Sequence, residues 1–191
     1  MKRHIRMMAL TGVLVLLAGL AGAEEYQLDP LHSRIGFSIG HFGISVVKGA
    51  FTNFSGLIRY VPGDMPAFRA EAVIQAASIN TYIEARDKHL RSKDFFEVET
   101  YPEIRYKVEA VEKKGDDWVV TGPFTMHGVT KPVALRVALK GPIQDPMGAS
   151  RVGLHAEGKL NRRDFGVGAD TPTIGSEVTL EIDLEAIARK P

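Results

Sequence analysis

The sequence predicts an all-β fold with one short helix, in which about eight antiparallel strands close into a barrel. Three observations predict it. Period-2 alternation of apolar and polar residues runs through most of the chain, and this is the pattern of strands with one buried and one wet face. Turn-forming clusters separate the alternating runs: "PGDMP" at 62–66, "KKGDD" at 113–117, "HGVTKP" at 127–132 and "GPIQDPMG" at 141–148. Only one segment, "NTYIEARDKHLRSKDFF" at 80–96, departs from period 2. Strands with a single wet face favour closure, because closure leaves no exposed edge. An eight-stranded interior either fills with side chains or holds one small ligand.

The N-terminus stands apart from this plan. "MKRHIRMMALTGVLVLLAGLAGA" has Lys2, Arg3 and Arg6 ahead of an apolar run from Met7 to Leu20, and it closes on Ala21-Gly22-Ala23. This is the pattern of a cleaved secretory signal over residues 1–23. The run is too short for a stable membrane anchor, which needs 18 or more apolar residues. Residues 24–191 then form a single domain. Its 168 residues bury about 70% of the unfolded surface. The three basic residues leave with the signal, so 21 basic residues face 23 acidic ones. A near-neutral body of this kind gives no reason to expect a nucleic-acid partner. There is no Cys, which excludes a thiolate nucleophile, a thiolate zinc site and an iron–sulfur cluster. An exported chain without disulfides depends on its core alone.

The strands follow in order. "SRIGFSI" groups Ile35, Phe37 and Ile39 on one face. "VKGAFTNFSGLIRYV" changes parity at Thr52-Asn53, which predicts a bulge or corner. "AFRAEAVI" is the next strand. In "EIRYKVEA", Ile104, Tyr106 and Val108 oppose Arg105, Lys107 and Glu109. "DDWVVTGPFTM" leads into "KPVALRVALK", where Val133, Leu135, Val137 and Leu139 point one way. "RVGLHAEGKL" does the same with Val152, Leu154, Ala156 and Leu160, and "EVTLEIDLEA" with Val178, Leu180, Ile182 and Leu184.

The exceptional segment reads as a helix. Thr81 and Glu84 have capping-box spacing, which places its start near Tyr82. Ser92 can cap a second short turn leading into Phe95-Phe96. Such a helix is long enough to cover a barrel mouth, with Leu90, Phe95 and Phe96 facing inward and the charges facing water or a polar ligand head.

Together these residues carry a resemblance. "HSRIGFSIGHFG", "KGAFTNFSG", "ASINT", "RDKHLRSKDFF", "YPEIRY", "HGVTKPV", "NRRDFGV" and "IGSEV" occur in that order from His32 to Val178. The chain resembles the YceI-like, polyisoprenoid-binding family over nearly all of residues 24–191. The resemblance implies a bacterial export address, periplasmic or secreted. It also implies a lipocalin-like barrel around an elongated apolar pocket, and a partner that is an isoprenoid, fatty amide or other long-chain apolar molecule. It implies no cofactor.

Candidate residues are weighed against that reading. The apolar wall would come from Phe37, Phe42, Phe51, Phe54, Leu90, Phe95, Phe96 and Phe124. In a barrel with one lumen, core and pocket wall are the same surface. Arg86, His89, His127 and Arg162 are the candidates for a polar ligand head. Each has a structural alternative. Arg86, Asp87 and His89 would form an ion pair anchoring the helix to the rim. His32 and His127 would hydrogen-bond backbone at turns. Arg162, Arg163 and Asp164 would form a turn with a local Arg–Asp pair. The His residues show no metal-binding spacing, so no metal is expected. Two other functions stay open: a lipid-acting hydrolase using His89 and Asp87 with the Ser92 hydroxyl, and a structural barrel with a filled lumen. A homodimer is compatible with all of these readings.

Overall fold

The computed structural model describes residues 22–189, so the signal expected at 1–23 lies almost entirely outside the described residues. The strands are β1 (Glu24–Leu28), β2 (Arg34–His41), β3 (Ser45–Phe51), β4 (Phe54–Val61), β5 (Asp64–Gln75), β6 (Ile79–Asn80), β7 (Glu103–Lys107), β8 (Ala110–Lys114), β9 (Asp117–Met126), β10 (Val129–Gln144), β11 (Ser150–Asn161) and β12 (Ile174–Ala188). One helix, α1 (Glu84–Arg91), lies between β6 and β7. Among the described residues, no helix is long and apolar enough to cross a membrane.

Every strand pairing is antiparallel. Eight strands make a ring in the order β1-β4-β5-β7-β9-β10-β11-β12, and β12 closes it by pairing Ala186–Ala188 with Tyr26–Leu28 of β1. The count is the eight expected from the sequence, but β1, which was not among the expected strands, completes the ring, and β2 and β3 lie outside it. Further strands come from a corner that the parity change marks and from breaks that period 2 does not reveal. Thr52 and Asn53 separate β3 from β4, where the parity change lies. "EIRYKVEA" is not one strand. It breaks after Lys107, and the amide N–H groups of Val108 and Glu109 donate to Ala70 O and Thr121 O. A Cβ on Gly122 would stand 1.7 Å from Lys107 O, so only glycine lets β9 pass this kink.

β1 and β2 share one edge of β12, with Asp29 between them capping the turn Pro30–His32 by accepting from Leu31 N. β1 pairs onward with β4, and β2 with β3. The ring therefore splits at the β2–β3 end. There β3 meets only the two residues of β6 on its far edge. The chain from Thr81 to Pro102 covers this end. Phe96 packs edge-on to Phe51 of β3, and Tyr101 packs against His127 in the β9–β10 turn. Arg91 anchors α1 by donating from Nε to Ala77 O (2.8 Å) and from Nη2 to Ile79 O (3.1 Å).

That anchor differs from the expected ion pair of Arg86, Asp87 and His89. The capping box is also absent. Ile83 is the N-cap residue and makes no side-chain cap bond. Thr81 is buried and donates from both N and Oγ1 to Asp87 Oδ1. Ser92 does support the second turn, accepting from Asp94 N (3.3 Å).

The opposite end of the ring is solid. Tyr26, Tyr60, Val152 and Ala186 are buried there.

Candidate functional site

Toward α1 the packing opens into a cavity of about 330 Å³. Its walls are almost wholly apolar. β2 contributes Ile35, Phe37 and Ile39, and β12 contributes Val178, Leu180, Ile182 and Leu184. These are the inward positions of two alternating runs, brought side by side by the register Leu180↔Phe37 and Ile182↔Ile35. The lumen is therefore not filled, contrary to the structural-barrel alternative.

Of the apolar residues singled out in the sequence, Phe37, Phe51, Leu90, Phe95, Phe96 and Phe124 line the cavity. Phe42 does not. It occupies the β2–β3 turn with φ of 52° and is 58% exposed, because the pair His41↔Ser45 closes the hairpin just ahead of it. Phe54 is also misplaced by that reading. It is buried opposite Ile74, which lines the cavity, but Phe54 itself is not part of the wall. The inward residues of β12 were the larger omission. Their alternation marked them as buried, and nothing in it marked them as wall.

Among the head-group candidates, Arg86, His89 and Arg162 line the cavity and His127 does not. His127 donates from Nδ1 to Phe165 O (3.2 Å), and its ring centroid lies 4.5 Å from that of Tyr101. It fastens the β9–β10 turn to the β11–β12 connection. His32 bonds the Asp29 carboxylate at 2.8 Å instead of backbone.

Arg162 is 3% exposed, and all five of its N–H groups are engaged. Nε donates to Gly175 O, Nη1 to Val167 O and Gly168 O, and Nη2 to Ala169 O and Ile174 O. Burial lowers its pKa. It is a latch for the loop before β12, with no donor left for a ligand. The local pair expected beside it takes another form: Arg163 meets Asp170, and Asp164 lies 3.6 Å from Lys131.

Arg86 is held differently. Its Nε donates to Thr81 Oγ1 and its Nη2 to Thr81 O, each at 2.7 Å. His89 packs edge-on against Phe95, with Nε2 3.3 Å from Asp94 Oδ2. Ser92 Oγ donates to His89 O. Asp87 faces Thr81, so His89, Asp87 and Ser92 form no relay. The hydrolase alternative loses the geometry it needs.

Tyr106, which the sequence did not single out as a site residue, also lines the cavity. Its hydroxyl donates to Val133 O (3.1 Å), and burial pushes its pKa up. Away from the cavity, Asp29, His32 and Glu185 bring one potential metal ligand each within 4.8 Å. Arg151 already pairs with both carboxylates, at 3.3 and 2.5 Å, so their charge is taken.

A sequence profile for the YceI-like domain matches residues 26–186. Protein YceI of Escherichia coli is 37% identical over 179 residues, covering 93% of this chain and 94% of that protein. A Campylobacter jejuni YCEI protein has a similar solved structure, with 31% identity and a TM-score of 0.70 over 77% of this chain and 88% of that one. A polyisoprenoid binding domain from Saccharophagus degradans superposes with a TM-score of 0.67 at 19% identity, over 86% of this chain and 98% of that one.

Proposed function

The chain belongs to the YceI-like family, and from that premise we propose that it is a periplasmic carrier or sequestering protein for a long-chain amphiphile such as a polyisoprenoid or fatty amide. The observation that carries this reading is the apolar cavity inside the closed ring. Its volume of about 330 Å³ falls within the range of small-molecule sites. An alkyl or isoprenoid chain entering it gains roughly 0.8 kcal/mol per methylene removed from water. A ligand of many carbons thus binds tightly with few polar contacts. The polyisoprenoid-binding character of the Saccharophagus domain, which has the same fold, supports the ligand class. The basic-apolar-small pattern of residues 1–23 supports export. In this reading the protein binds without chemistry of its own, and among the described residues His89, Asp87 and Ser92 form no relay at the cavity.

Native mass spectrometry of gently purified protein tests this. The expected spectrum shows an apolar adduct that solvent extraction removes, and the stripped protein takes up an added polyprenol. A bare polypeptide mass from never-extracted protein, together with no uptake, overturns the reading.

A further inference from the structure

We propose that the α1 side of the cavity is a binding site for an acidic head group, a carboxylate or a phosphate, with Arg86 as its cation. This rests on the carrier reading and narrows its ligand. Of the polar residues along the wall, Thr81, Arg86 and His89 lie where β6 runs into α1, while His41, Glu71, Tyr106 and Arg162 lie on other elements.

The two arginines of the cavity differ in how their N–H groups are engaged. Arg162 spends all five N–H groups on backbone carbonyls. Arg86 spends two, both on Thr81. Both N–H groups of Nη1 and one of Nη2 are left without a protein acceptor among the described residues. No carboxylate of those residues lies within 4.0 Å of this guanidinium. Asp87 is next in sequence but is buried, with its Oδ1 accepting both Thr81 donors. Asp94 faces His89. The one acidic residue along the wall, Glu71, is exposed on β5 in register with Lys107. It lies about 13 Å along the strand from Gln75, where the chain leaves for α1.

A half-buried guanidinium beside an apolar lumen has lost part of its water without gaining a counter-charge. An acidic head supplies both the charge and the acceptors. The fork is already oriented. Thr81 fixes its plane through two bonds and is itself fixed by Asp87, so little side-chain freedom is lost when a ligand binds. The planar donor edge left over matches two oxygens of a carboxylate or phosphate.

Displacement of the fluorescent probe N-phenyl-1-naphthylamine by three ligands with the same chain tests the proposal: oleate, oleyl phosphate and oleyl alcohol. Stripped wild-type protein should take one or both acids at least about tenfold more tightly than the alcohol, the size of a charge-assisted hydrogen bond. Whichever acid is preferred identifies the head. Arg86→Gln should bring all three within about twofold by weakening the acids most, and Arg86→Lys should recover part of the preference. Equal affinities in the wild type overturn the inference even if Arg86→Gln fails to fold. A preference that survives in folded Arg86→Gln overturns it too. If none of the three displaces the probe, the carrier reading falls and takes this one with it. Binding of all three with no preference removes only the head-group site.

Discussion

Leu90 and Lys88 lie two residues apart on α1 and face different surroundings. Leu90 is half-buried and lines the cavity, while Lys88 is exposed. A carboxylate at position 90 would sit against the ligand chain, unpaired or forced to stay protonated. Leu90→Asp is therefore expected to weaken uptake of a long-chain alcohol about a hundredfold or more, equivalent to roughly 3 kcal/mol. Lys88→Asp should bind like the wild type. Ligand titration on both variants checks this, with far-ultraviolet circular dichroism to confirm the fold. Near-wild-type binding by both would mean that α1 does not line the ligand site. Unfolding of Leu90→Asp would make the residue plain core. Residue identity alone did not sort such positions. Phe42 and Phe37 are equally apolar, but Phe42 falls in a tight turn with positive φ and points its ring outside. The sequence puts Asp87 in an ion pair with Arg86 and His89, and in the fold it is 3% exposed and holds Thr81.

The connection before β12 is an element held by one side chain. Arg162 collects carbonyls from Val167, Gly168, Ala169, Ile174 and Gly175 and so gathers the loop into a fixed shape. That shape also sets the wall near Phe95, since a Cβ on Gly168 would stand 2.7 Å from the Phe95 ring. Lysine keeps the charge but offers three donors from one point. Arg162→Lys should leave at least two of these carbonyls unpaired and cost about 2–4 kcal/mol, as lost hydrogen bonds to a buried charge do. Urea unfolding measures it, and a change below about 0.5 kcal/mol, the scale of an ordinary surface substitution, would show that the latch is dispensable. Strand breaks belong to this scale as well. The kink after Lys107 keeps apolar residues at every second position, so periodicity runs straight through it, and only Gly122 hints at the close backbone approach.

At the scale of the whole molecule, the ring is tied by a charged node around Arg151 of β11. Arg151 pairs with Asp145 in the β10–β11 turn (2.7 Å), with Asp29 at the break between β1 and β2 (3.3 Å) and with Glu185 of β12 (2.5 Å). Arg151 holds the Asp145 carboxyl below its ordinary range. Asp29 is held low chiefly by His32, helped by the Leu31 N–H and by Arg151. A carboxyl whose pKa is lowered in the fold stabilises it at pH above the unfolded value, near 4, and that contribution is lost as pH falls through the lowered value. Thermal melts should therefore show wild type above Arg151→Met at pH 7. The gap should be steady down to about pH 5 and close below about pH 4. A gap that stays constant to pH 3 would mean that the node does not couple to folding.

The sequence by itself determined most of the strands, which face of those strands turns inward, and that one short helix interrupts them. Each of these is a local property, carried by a period of two or by a few neighbouring residues. It also marked Leu90, Phe95 and Phe96 as inward residues of the helical segment. The tertiary structure alone decided which inward residues stay packed and which border open space. Tyr26 of β1 and Phe37 of β2 both turn inward, yet Tyr26 is wholly buried and Phe37 faces the cavity. The difference comes from closure. β1 joins β12 at the far end of the chain, Tyr26 opposite Ala188, and that pairing fixes the cross-section of the ring. At the split end, α1 and the loop held by Arg162 cover the opening without filling it. No window of sequence contains both partners of such a contact, and so the cavity and the free donors of Arg86 beside it became visible only in the folded molecule.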